Sequence, residues 1–153
     1  MIATMALLFA ATASPMAPLD FLVGHCWRGK LPKAGQVDTH CFSRLTDGSL
    51  RDHHDVTENG KVLASGDTLY RWDPGAQVIR YTYRDSIGGV LSSIVRRSGN
   101  AIDFGTADYR TKDGKSYAIK TRWTVLGATS YQTEMSSPLL PFVKRTTRFD
   151  RVD

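Results

Sequence analysis

Cysteine is scarce in this chain, with two in 153 residues, and no Cys-x-x-Cys occurs. Neither a multi-cysteine zinc module nor a thioredoxin-type redox motif is therefore expected. Long apolar runs are missing as well. A spanning helix needs about 20 apolar residues, so no transmembrane anchor is expected. Clustered charge is also absent: 20 Lys and Arg against 15 Asp and Glu leave a net +5, dispersed singly except at Arg96-Arg97 and Lys144-Arg145. Without a basic stripe or an RNA-binding motif, nucleic acid is not expected as a partner. No Gly-rich phosphate loop precedes a helix, no H-E-x-x-H is found, and no Ser or Cys sits in a nucleophile motif. Enzyme activity thus has no motif to rest on.

What remains describes one folded domain. The length suits a single core, burying roughly two thirds of the surface an unfolded chain exposes. At 41% apolar and 23% charged residues, the composition is globular rather than disordered. Residues 1–17, MIATMALLFAATASPMA, carry no charge and pass from an apolar stretch to Ala11-Thr12-Ala13. This is the pattern of a secretory signal peptide cut after Ala13, although a basic start is missing; an N-terminal core helix is the competing reading. The domain is expected to occupy residues 18–153, in the periplasm or outside the cell.

After residue 24 no helical period persists, and turn residues recur every eight to twelve positions: Asp47-Gly48, Asn59-Gly60, Asp73-Pro74-Gly75, Gly88-Gly89, Gly99-Asn100 and Asp113-Gly114. Strands are expected at 25–30, 37–45, 50–57, 61–72, 77–85, 90–97, 101–110, 115–125, 130–136 and 142–151. Alternation supports them, with Ile79, Tyr81 and Tyr83 on one face and Tyr117, Ile119, Thr121, Trp123 and Val125 on another. Short connections make neighbours antiparallel. About ten strands suffice to close an all-β, up-and-down barrel without exposed edges, with a short helix near Pro18 to Val23 in front.

The stretch LDFLVGHCWRGKL, residues 19–31, resembles the opening of lipocalin-like β-barrels, and especially of nitrobindin-like and related bacterial domains, which typically begin FLLG-x-W-x-G. Phe21, Leu22, Gly24, Trp27 and Gly29 carry the match, with two residues rather than one between Gly24 and Trp27. The resemblance implies a barrel whose Gly24 and Trp27 are structural, the Trp plugging the base. Nitrobindin-like proteins bind haem through a His near the chain's end. Here the histidines stand at 25, 40, 53 and 54, so haem is not carried over and no cofactor is expected.

Register then sorts the polar residues. A two-residue loop at Asp47-Gly48 sets Cys41 opposite His54, Ser43 opposite Asp52 and Leu45 opposite Leu50, all facing inward with Val56. Carried through Asn59-Gly60, the same face gains Leu63, Asp67 and Leu69. His40, Phe42, His53 and Asp55 then fall outside. His53 and His54 point oppositely and cannot share a metal, whereas His40, His53 and Asp55 could form a zinc-like set. A solvated surface hairpin is the plainer reading of these three, so no metal is expected. Asp52 and His54 inside the barrel read as a ligand-contacting or acid/base pair, or as a polar network ordering the lumen.

Counting on through Asp73-Ala76 with a two-residue loop would bury Arg71, Arg80 and Arg84 and expose Tyr81 and Tyr83. Unpaired buried arginines are costly, so a bulge or odd-length turn is expected there, returning the tyrosines to the interior. Asp52, His54, Tyr81, Tyr83 and Trp123 are accordingly the expected pocket lining, unless the aromatics simply fill a core. The apolar loop Ser136–Phe142 is a lid, a partner contact or a plug.

Cys26 and Cys41 each follow a histidine. Those histidines point away from the cysteines on a strand, which disfavours zinc, and the spacing is not that of a redox pair; a disulfide joining the first two strands is expected. The combined expectation is an exported monomer or weak homodimer binding a small apolar or amphipathic molecule in its lumen. An enzyme using a His54/Asp52 pair and a filled structural barrel are the alternatives.

Overall fold

A computed structural model describes residues 13–153. The signal-peptide stretch therefore lies outside the described residues up to residue 12. Ten antiparallel strands follow a 3-10 turn at Ala17–Leu22: β1 (Cys26–Lys30), β2 (Gln36–Arg44), β3 (Leu50–Glu58), β4 (Lys61–Asp73), β5 (Val78–Asp85), β6 (Val90–Ser98), β7 (Ala101–Arg110), β8 (Ser116–Gly127), β9 (Ser130–Ser136) and β10 (Arg145–Arg151). Each pairs with its sequence neighbours, and β1 pairs with β10 to close the barrel. Nine of the ten expected strands stand within two residues of their expected ends. The tenth begins later than expected because Pro141–Val143 forms a second 3-10 turn, whose proline lacks the N–H a ladder needs.

Turn chemistry decides the register. Asn59 and Gly60 both adopt positive φ, the geometry that a two-residue hairpin requires, and Glu58 pairs with Lys61. The Asp47-Gly48 loop is different. Leu45 N–H donates to Ser49 O at 2.9 Å, leaving three residues in the loop, with Gly48 at φ +82°. The odd count slips the expected pairing by one: Cys41 faces His53 and Arg44 faces Leu50. His40 and Phe42, expected outside, therefore point inward, and Cys41 points outward.

A second odd step lies in β4. Thr57 pairs with Val62 and Val56 with Ala64, so Leu63 is bulged out of the ladder. Beyond it Ala64, Gly66, Thr68 and Tyr70 face the lumen, while Leu63, Asp67 and Leu69, expected inside, do not. The turn after β4 has an even four residues, Asp73 pairing with Val78. The irregularity expected at that turn is thus the Leu63 bulge, ten residues earlier. Its consequence is the expected one: Tyr81 is buried, Tyr83 is half-buried facing in, and Arg80 and Arg84 are exposed.

The two ends of the barrel differ. At the base, the 3-10 turn inserts Leu19 and Leu22, both fully buried, beneath Trp27, whose Nε1 reaches Leu22 O at 3.5 Å. Met16 already belongs to this core. Arg97 ties the plug down, donating to Pro18 O at 2.9 Å and lying over the Phe21 ring. Above the plug the lumen is filled by rings: Tyr131 packs against Trp27, Trp123 and Phe149 at 4.9–5.3 Å, and Phe104 against Trp123 at 4.5 Å. Gly29 leaves room for this layer, since a Cβ there would stand 2.7 Å from Thr147 and 2.9 Å from Phe149. The other end, the mouth, carries loops 31–35, 59–60, 86–89, 111–115 and 137–144.

Cys26 and Cys41 are directly opposed on β1 and β2 and form a disulfide on the outer wall. Closing a fifteen-residue loop is worth about 3 kcal/mol in the chain-entropy account. Replacing both cysteines with serine is predicted to lower the urea unfolding free energy by about that amount while leaving the far-ultraviolet spectrum of the barrel in place.

Candidate functional site

Above the aromatic layer, the paired strands β2 and β3, with β5 beyond β4, bring a connected polar group into the lumen. On β2, Asp38 and His40 share the inner face with Phe42; on β3, Asp52 and His54 share it with Leu50; and Tyr83 reaches across from β5. His40 pairs with His54 across the ladder, and their rings stack with centroids 4.7 Å apart. Such contact is possible because Gly66 stands opposite His54. A Cβ at Gly66 would lie 2.7 Å from His54 Nε2 and would overlap the Tyr83 ring.

The hydrogen bonds form a chain. His40 Nδ1 donates to Asp52 Oδ2 at 2.8 Å, and its Nε2 faces Asp38 Oδ2 at 3.3 Å. Asp38 Oδ1 lies 3.0 Å from His54 Nδ1, and His54 Nε2 lies 3.1 Å from the Tyr83 hydroxyl. An imidazole with a carboxylate at each nitrogen donates at both, so His40 is an imidazolium. Burial opposes that charge, but Asp52 and Asp38 outweigh it and push the His40 pKa up to about 10. Asp38 shows the reciprocal effect. Burial would raise it, yet its bonds to His40 and His54 hold it well below the usual carboxylate range. On His54, a proton on Nδ1 donated to Asp38 leaves Nε2 to accept the Tyr83 O–H. Burial, with nearby carboxylates, raises the Tyr83 phenol above its ordinary value.

Several buried polar atoms at the floor of this region have no hydrogen-bond partner among the described residues: Asp52 Oδ1, Tyr131 Oη and Thr147 Oγ1. After burial, Asp52 is the main influence raising the Tyr70 and Tyr131 phenols. Orphaned buried groups are uncommon and costly unless water or a ligand meets them.

The expected pocket residues divide between two layers. Asp52 and His54 lie in the polar chain, but not bonded to each other: Asp52 is bonded to His40 and His54 to Asp38. Tyr83 joins the same chain. Tyr81 and Trp123 sit lower, in the aromatic layer, where the Tyr81 hydroxyl reaches Phe104 O at 3.5 Å. Asp38 and His40 are the residues that sequence reasoning missed. Alternation along Asp38-Thr39-His40-Cys41-Phe42 contains the signal, because a disulfide on the outer wall turns His40 and Asp38 inward.

The zinc-like set His40, His53 and Asp55 is divided by the wall of the barrel. His53 is outside, 3.1 Å from Asp67, and Asp55 is beside it. Asp38, His40 and His54 do bring three donor atoms within 4.8 Å of one another. Their two imidazoles are stacked at 16°, however, and stacked rings share no plane in which one cation could meet both lone pairs. The arrangement suits protons better than a metal. Compared with protein-family models and with curated proteins, the chain matches none.

Stability should follow these charges. The folded protein holds the His40 proton more tightly than an unfolded chain with its histidine near 6.5, so that contribution is complete below about pH 6.5 and is lost as pH rises toward 10. Asp38 acts in the opposite sense: its contribution is present above its unfolded value of 3.8 and lost in stronger acid. The urea midpoint is predicted to peak between about pH 4 and 6.5 and to fall on the alkaline side, with His40→Gln flattening the alkaline fall. Gly66→Ala is predicted to lower stability by about 1–3 kcal/mol and to abolish the His54–Tyr83 contact, seen as a shift of the His54 ring resonances.

Proposed function

We propose that this chain is an exported lipocalin-like barrel that takes a small, mainly apolar molecule into the mouth-side half of its lumen. The observation that carries the reading is the division of the interior. The base half is packed by aromatic rings, and where the polar chain meets that layer Asp52 Oδ1, Tyr131 Oη and Thr147 Oγ1 have no partner among the described residues. A barrel filled throughout would leave Asp52 Oδ1 and Thr147 Oγ1 orphaned at a cost. A bound molecule or ordered water resolves that. Mouth-side inner positions include Val56, Leu91, Ala107 and Ile119, which suit an apolar body, while His54 and Tyr83 suit one polar end.

Export is supported by the Cys26–Cys41 disulfide, since such bonds persist in oxidising compartments. Cleavage after Ala13 would also leave Met16, a core residue, on the mature chain. A closed barrel offers no sheet edge for pairing, which favours a monomer or weak homodimer.

A second reading, an enzyme, draws on the His54–Tyr83 contact. With Asp38 fixing the imidazole, His54 Nε2 is placed to accept a proton from Tyr83 or from a molecule that displaces it. The catalytic pair would then be His54 with Asp38, not with Asp52.

Titration with the neutral apolar probe N-phenyl-1-naphthylamine is predicted to give one saturable site, with energy transfer from tryptophan. Leu91→Arg, which puts a charge on the inner wall, should abolish it. A linear, non-saturating response would contradict lumen binding. Sequencing the mature N-terminus of the exported protein should give Ser14 first.

A further inference from the structure

The mouth of the barrel is apolar at its tips and basic around them. Among the described residues, the three most exposed large hydrophobic side chains are Phe142 at 81%, Ile87 at 72% and Leu139 at 69%, and all three stand on mouth loops. Val62 and Leu63 add to them beside the 59–60 turn, where the bulge holds Leu63 out of the ladder. Single exposed apolar residues are ordinary on protein surfaces. Five of the eight among the described residues stand at the mouth, three on loops and two at the start of β4, and they include the four most exposed; Leu45, Leu126 and Val152 at the base are each at 48% or less. The reading of Ser136–Phe142 as a plug fails for the same reason: its Leu139 and Phe142 are exposed to solvent.

Charge is divided along the same axis. The mouth loops carry Lys33, Lys112, Lys115 and Lys144 against one acid, Asp113. The described base loops carry Asp20, Asp47 and Asp153 and no Lys or Arg. Lys33 is paired with Glu58 and Lys115 with Asp113. Lys61, Lys112, Lys144 and Arg145 have no carboxylate partner among the described residues. Lys144 and Arg145 follow the Leu139–Phe142 segment after one residue, Val143.

We infer that the mouth docks on a lipid bilayer bearing anionic headgroups, with Leu139, Phe142 and Ile87 entering the interface. An apolar tip ringed by unpaired cations matches the two layers of such a surface: the side chains reach the acyl boundary while the cations meet phosphates. A protein partner would need polar complementarity to the main-chain edges of the loops. The bilayer asks only for insertion depth and positive charge. Docking in this orientation would place the lumen opening against the membrane, but the inference does not rest on lumen binding and holds for an empty barrel.

Vesicle flotation tests it directly, using phosphatidylcholine with and without phosphatidylglycerol. The wild-type protein is expected to float with the anionic vesicles and to be released by salt. Leu139→Ser with Phe142→Ser should weaken the partition about a hundredfold; both side chains are exposed, so folding is retained and is checked by the urea midpoint. Lys144→Glu with Arg145→Glu should remove the preference for phosphatidylglycerol. Failure of the wild type to float, equal floating on both vesicle types, or unchanged floating of the serine variant would overturn the inference. So would sedimentation showing a dimer that the serine substitutions dissolve, which would assign the patch to a second copy of the chain.

Discussion

Two carboxylates buried inside a β-barrel require a cation, and His40 is the group placed to supply it. Asp38 and Asp52 are each almost fully enclosed, and isolated ionised carboxylates in such surroundings would be strongly destabilising. His40 bonds to both and keeps its proton far above the ordinary histidine range. That one imidazolium fixes the remaining members of the polar chain: Asp38 is held ionised, its second oxygen orients His54, and His54 meets Tyr83. Removing the cation would leave Asp38 and Asp52 without their shared partner in a region that rings and the base plug close from below.

The division of the lumen follows from where this chain sits. Below it, Trp27, Trp123, Tyr131, Phe104 and Phe149 interlock, and the 3-10 turn seals the end. Above it the inner wall mixes small and apolar residues with His54 and Tyr83. A barrel built this way has an aromatic floor, a polar belt and a mixed upper wall. The disulfide between β1 and β2 lies on the outer side of the strand that carries Asp38 and His40. It therefore steadies the belt without occupying the lumen, and links the HC pairs of the sequence to the site: each cysteine faces out, while His40 faces in.

Much of the fold was legible because it rests on period and turn chemistry. Alternation such as Ile79-Tyr81-Tyr83 and signals such as Asn59-Gly60 act locally, and the expected strands match them closely. Which side of a strand faces inward is a different matter. A single extra residue exchanges the two faces, and two of the register steps among the described residues lie close together around β3, the three-residue loop before it and the bulge at Leu63. The loop moved His40 and Phe42 inside; the bulge moved Leu63, Asp67 and Leu69 off the inner face and brought the tyrosine row in. The cost of burying Arg80 and Arg84 announced that an odd step was needed without saying where. For the site, Asp52, His54 and Tyr83 could be read from the sequence, whereas their bonding partners could not, because the Asp38–His54 and Asp52–His40 contacts depend on that register.

The charge on His40 is the point on which the account stands, and nitrogen-15 spectroscopy of the histidine rings reads it directly. At pH 8.5, about two units above an ordinary histidine pKa, both His40 nitrogens should show the shifts of a protonated imidazolium. A neutral His40 ring at pH 7 would contradict the account, since the two buried carboxylates would then lack the cation that holds the belt together.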